Sequence, residues 1–156
     1  MYIFLADTKT KPSSQFKEWL GSKRGLCHII EQDLTDRQKI QSIIDKYVKI
    51  SAGRPLYAVF QPRSEYINFK NKIQYASSFK GIESMLITEI FRNADQTALK
   101  TKEIIAHIKY YSQIRSMKRG YNVSDIIHYI KNEVPESSLV LLIGIKNIEA
   151  ITREIF

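Results

Sequence analysis

Short apolar runs alternate along this chain with longer stretches whose apolar residues recur at helical spacing, and few features constrain a fold more tightly. Residues 2–6, 26–30, 56–60, 85–87 and 139–145 are the short runs, each too brief for a helix and each read as a strand. Pro12-Ser13-Ser14 opens a predicted helix that carries Phe16, Trp19 and Leu20 on one side and stops at Gly21 and Gly25. Thr35-Asp36 opens a second, with Ile40, Ile43, Ile44, Tyr47 and Val48 in register, and Pro55 prevents its continuation. A third, over 64–80, has Ile67, Phe69, Ile73 and Ala76 on its apolar side. Residues 96–115 form the longest helical stretch, with Ile104, Ile105, Ile108 and Tyr111 facing inward; helices over 124–132 and 148–156 flank the last strand. Strands that alternate with helices pair in parallel, because each crossover needs a helix's length of chain. The expected fold is α/β: a single three-layer Rossmann-like domain over residues 1–156, with a mostly parallel five-stranded sheet and helices on both faces.

At 156 residues the chain can bury a core without disulfides or metals. One cysteine, Cys27, excludes an internal disulfide and a cysteine-rich zinc site, and His28, His107 and His128 are too scattered for a metal cluster. The longest purely apolar run, residues 139–143, is too short to span a bilayer, and the opening Met-Tyr-Ile-Phe-Leu-Ala-Asp reads as a strand rather than a leader. The expected setting is the cytoplasm or another intracellular reducing compartment, with no membrane partner. Asp7-Thr8-Lys9-Thr10-Lys11 stands where a Gly-x-Gly-x-x-Gly loop would lie, and no Gly-x-x-x-x-Gly-Lys-Ser/Thr occurs, so no nucleotide cofactor is expected. Cys27 and His28, adjacent on a strand, point to opposite faces and form no thiolate–imidazole pair.

Parallel sheets gather ligands at the carboxyl ends of their strands. Asp7 follows the first strand and Glu89 the fourth, and together they define an alternative reading as the catalytic pair of a Mg²⁺-dependent nuclease or phosphodiesterase, with Asp33 or Asp95 as a third ligand. Their plainer roles are a turn cap for Asp7 and a solvated side chain for Glu89.

The net charge of +8 is unevenly placed. Residues 54–80 carry five cations against Glu65, and residues 92–119 carry seven against Asp95 and Glu103, so these two segments hold +9 and the rest of the chain −1. Both are the helical segments that follow strands three and four. Tyr66, Tyr75, Tyr110 and Tyr111 are interleaved among the cations, which combines phosphate neutralisation with rings able to stack on bases. Lys118-Arg119-Gly120-Tyr121 reads as a basic loop between two helices.

Around Tyr66 the sequence Pro55-Leu-Tyr-Ala-Val-Phe-Gln-Pro-Arg-Ser-Glu-Tyr66-Ile-Asn-Phe-Lys70 resembles the MID domain of Argonaute and Piwi proteins. The resemblance rests on a hydrophobic strand, a short loop, Tyr-x-x-x-Lys on a helix, and a Gly-hydrophobic turn at Gly81-Ile82, with Lys109 at the distance of the family's second lysine. It implies that Tyr66 stacks on a nucleotide base while Lys70 and Lys109 hold its 5′-phosphate. Residues i and i+4 share a helical face, which suits Tyr66 and Lys70 to one nucleotide.

The expected function is therefore a nucleic-acid (DNA or RNA) or nucleotide phosphate binding module. Tyr66, Lys70 and Lys109 are its leading residues, with Arg63 and Lys72 assisting. The alternatives are the Mg²⁺-dependent nuclease above and a protein-interaction or regulatory domain.

Overall fold

The computed structural model describes residues 14–18, 25–29, 37–62, 72–88, 101–145 and 148–155. Six strands form one sheet in the order β1-β2-β6-β3-β4-β5, where β1 is Ser14–Glu18, β2 Gly25–Ile29, β3 Leu56–Phe60, β4 Ser84–Thr88, β5 Ser116–Gly120 and β6 Leu139–Ile143. The five strands from β2 to β5 run parallel, and β1 pairs antiparallel to β2 at the edge, with Ser14 opposite Ile29 and Glu18 opposite Gly25. The helices are α1 (Arg37–Ile50), α2 (Lys72–Ala76), α3 (Thr101–Ser112), α4 (Val123–His128) and α5 (Ile148–Ile155). A 3₁₀ turn, Ser77–Phe79, extends α2, and a π-helical stretch, Tyr129–Glu133, extends α4.

The alternation of side chains along the central strands builds two cores. Leu56, Ala58 and Phe60 of β3, with Met85 and Ile87 of β4 and Leu141 and Ile143 of β6, face α1, α2 and α3. Val59, Leu86, Val140 and Leu142 face the other way, against Ile126, Tyr129 and Ile130 of the α4 segment and Ile151 of α5. Helices thus cover both faces, as the apolar pattern requires: every residue of β4 and β6 is buried, so neither face of the sheet can meet water.

Two expectations are corrected. Ser14–Glu18 is a strand, not the start of a helix; an edge strand has one pairing neighbour and tolerates the polar composition Ser-Gln-Phe-Lys-Glu. Ser116–Gly120 is also a strand, where a basic loop was expected. Its register against β4 is complete, from Ser84 opposite Ser116 to Thr88 opposite Gly120. Lys118 and Arg119 fit there because β5 is the other edge of the sheet. The strand expected over residues 2–6 lies outside the described residues.

Tyr129 shows how the far layer is tied to the sheet. Its ring is almost fully buried and its hydroxyl donates to Ser84 Oγ at 3.1 Å. Burial, more than any neighbour, pushes its ionisation up to about 12. Because the folded value lies above the unfolded one, the neutral phenol's contribution to stability is complete below about pH 10 and is lost as pH rises towards about 12. A spectrophotometric titration at the phenolate band is expected to show a late step after the exposed tyrosines, and Tyr129→Phe is expected to lower its amplitude by one phenolate; an unchanged late step in Tyr129→Phe would contradict this placement.

Candidate functional site

Sheet topology places one crevice in the described structure. The chain leaves β3 for α2 on one face and leaves β6 for α5 on the other, although β3 and β6 are neighbours. Adjacent strands whose connections diverge in this way leave a crevice at their carboxyl ends. Its described rim is narrow: Gln61 N donates to Ile143 O at 3.0 Å, and Gly144 takes a positive φ of 70° so that the chain can turn away from β6. Arg63, Tyr66 and Lys70, which follow β3, lie outside the described residues, as do Asp7 and Glu89. Among the described residues no group of His, Cys, Asp and Glu side chains is arranged to hold a metal ion.

The two remaining expected residues sit in one layer. Lys72 opens α2, and Lys109 lies exposed in the last turn of α3. Ser112 Oγ donates to Ala76 O and accepts from Phe79 N at 3.1 Å, which pins the ends of the two helical segments together in the interior. Lys72 is four residues before Ala76 and Lys109 three before Ser112, so both stand about one turn from the same junction. The packing of α2 on α3 thus joins the two segments in which the sequence concentrates its positive charge.

Three rings flank Lys109 on α3. Tyr110 is 77% exposed and meets Tyr111 edge-on, with centroids 5.0 Å apart. His107 stacks on Tyr111 at 6.2 Å and donates from Nδ1 to Glu103 O at 2.7 Å, which holds the imidazole against the helix. The spacing His107, Tyr110, Tyr111 is the i, i+3, i+4 pattern of one helical flank. Sequence reading finds the tyrosines through their proximity to cations but places His107 only as one of three scattered histidines, because nothing in the sequence shows its stacking partner.

Other cations of the same segments are engaged locally. Arg115 bridges to Glu83 at 3.2 Å and Lys118 to Glu133 at 2.5 Å, while the Arg119 guanidinium lies 4.9 Å from the centroid of the Tyr121 ring. These contacts fasten the β5 edge to its surroundings, so Arg115, Lys118 and Arg119 are engaged locally rather than left as free charge.

No protein-family model and no curated protein sequence matches the chain. Solved structures similar to the chain include UDP-N-acetylmuramate ligases and a murein peptide ligase. A domain of a UDP-N-acetylmuramate:L-alanyl-γ-D-glutamyl-diaminopimelate ligase from Haemophilus ducreyi matches with a TM-score of 0.58 and 11% identity over 85% of this chain and 89% of that one. The murein peptide ligase of Psychrobacter arcticus matches with a TM-score of 0.64 and 20% identity over 86% of this chain and 27% of its own. A UDP-N-acetylmuramoyl-L-alanyl-D-glutamate–2,6-diaminopimelate ligase gives 0.65 and 12% over 94% of this chain and 31% of its own. The chain has the fold of a Mur ligase domain. It spans between a quarter and a third of the length of the two longer ligases.

That likeness overturns the resemblance to the Argonaute and Piwi MID domain. With nine tyrosines and 16 lysines, one Tyr-x-x-x-Lys arises in such a sequence by chance. The family's phosphate-binding glutamine would fall near Met85, and Met85 is a fully buried residue of β4 that can donate no hydrogen bond to a phosphate. Among the described residues no helix is long and apolar enough to cross a membrane.

Proposed function

We propose that this chain is a phosphate-recognising module that takes a nucleotide, or the backbone of a nucleic acid, on the outer surface of the α2–α3 layer. The observation that carries the reading is Tyr110: a large ring standing 77% exposed beside Lys109, backed edge-on by Tyr111. An exposed ring next to an ammonium group offers a base a stacking face and its phosphate a counter-charge in one step along a helix. Lys109 and Lys72 supply the charge, with Arg63, Tyr66 and Lys70, which precede Lys72 in the chain, assigned to the same task. The similar ligases are named for UDP-linked sugars, which supports nucleotide phosphate chemistry as the class of ligand.

The test is fluorescence anisotropy with labelled DNA and RNA oligonucleotides, with and without a 5′-phosphate, alongside calorimetry with UDP. Binding is expected to weaken steeply with salt, and each of Lys72→Ala and Lys109→Ala to lower the salt slope by roughly 0.7–0.9. Tyr110→Ala is expected to cost about 1–3 kcal/mol of affinity. Affinity that is indifferent to salt and to all three substitutions would rule the reading out.

A further inference from the structure

On the opposite face of the sheet, α4 with its π-helical extension and α5 lie side by side and leave a groove of about 550 Å³ between them. The apolar stripes that seat these segments, Ile126, Tyr129 and Ile130 on one and Ile151 on the other, point down into the core. The groove is what remains above them. Ala150, an exposed residue with one methyl group, stands on the α5 wall.

The walls are rich in hydrogen-bond donors. Ser124, His128, Lys131 and Asn132 line one side and Arg153 the other. Asn132 Nδ2 donates to His128 Nδ1 and to His128 O, both at 3.1 Å. That arrangement makes Nδ1 an acceptor, so the imidazole proton resides on Nε2 and the ring meets a ligand as a donor. A serine hydroxyl, an imidazole N–H, an ammonium and a guanidinium therefore line one concavity. Among the described lining residues Glu154 is the only carboxylate, set against the two permanent cations Lys131 and Arg153.

We infer that this groove is a binding site for a small molecule bearing a phosphate or carboxylate group. The volume is that of a small-ligand site, and the donor set matches an oxyanion better than a cation or a neutral sugar. Arg153, with its planar fork of donors, is the residue suited to bidentate capture of such a group, and Lys131 adds a point charge from the facing wall. The site is separate from the α2–α3 layer, since the sheet lies between them.

Residue-resolved NMR tests this directly. Inorganic phosphate and, separately, succinate are titrated into the full chain at constant ionic strength set with chloride, with the backbone amides, the His128 ring and the Arg153 guanidinium observed. Saturable shifts in residues 123–132 and 150–154, read independently of any response on α2 and α3, are expected with at least one of the two probes, and the responding probe separates a phosphate site from a carboxylate site. Arg153→Ala and Lys131→Ala are each expected to weaken that response by tenfold or more while leaving the rest of the spectrum in place. Arg153→Lys, which keeps the charge but not the fork, is expected to recover only part of it. Shifts that fail to saturate with both probes, or that survive both alanine substitutions, would overturn the assignment. Because shifts are read residue by residue, a failure here is distinct from a failure of phosphate binding on α3.

Discussion

Replacing Phe79 with alanine is expected to remove about 3–5 kcal/mol of stability, the usual cost of deleting a fully buried aromatic ring. Phe79 closes the 3₁₀ turn after α2 and is completely buried. Its ring lies 4.9 Å from that of Phe60 and 5.7 Å from that of Tyr75, so one side chain joins the central strand β3 to the helical layer. Deleting it loses the ring's burial and also strips both neighbours of their contacts, and an aromatic cluster of this kind cannot collapse to fill the gap without moving a strand. Folded domains hold only about 5–15 kcal/mol in reserve, so the variant stands near the edge of stability. Urea denaturation followed by circular dichroism reads the loss directly. A change below about 1 kcal/mol would show that Phe79 does not occupy the junction described. Tyr110→Ala makes the opposite prediction: its ring is exposed, so stability is expected to move by less than about 0.5 kcal/mol, which keeps it usable as a binding variant.

The same junction shows what the sequence could and could not disclose. Leu56–Phe60 and Leu139–Ile143 are unbroken apolar runs because both of their faces are covered, and such runs are readable without any partner in view. The edge strands are not. Ser116–Gly120 contains two cations and a glycine, and only its pairing with β4 makes it a strand. Strand order is likewise invisible locally, since β6 enters between β2 and β3 through contacts more than 75 residues apart in the chain. The charge count found the α2 and α3 segments, and Ser112 explains why they belong together. It also counted Arg115 and Lys118, whose carboxylate partners Glu83 and Glu133 lie elsewhere in the sequence. The groove beside α5 left no trace in the sequence because its donors come from two segments that only the fold brings face to face.

Gly81→Ala is expected to cost about 2–3 kcal/mol, from backbone strain and a steric overlap acting together. Gly81 turns the chain from the 3₁₀ turn into β4 with φ at +100°, a conformation that side chains with a Cβ rarely adopt. A Cβ placed there would lie 2.9 Å from Val48 Cγ2 on α1, closer than real contacts allow. Gly53 separates the two effects, because it has a similar φ of +84° with nothing within 4 Å of a Cβ. Gly53→Ala is therefore expected to show the strain alone, about 1 kcal/mol. The remainder at Gly81 belongs to the overlap with α1, and Val48 can yield part of it because its side chain is 42% exposed. Pairing Gly81→Ala with Val48→Ala is expected to recover about 1 kcal/mol relative to the sum of the single changes. Additivity of the two would show that α1 does not close over the turn, and equal losses at Gly53 and Gly81 would show that strain alone makes glycine necessary there.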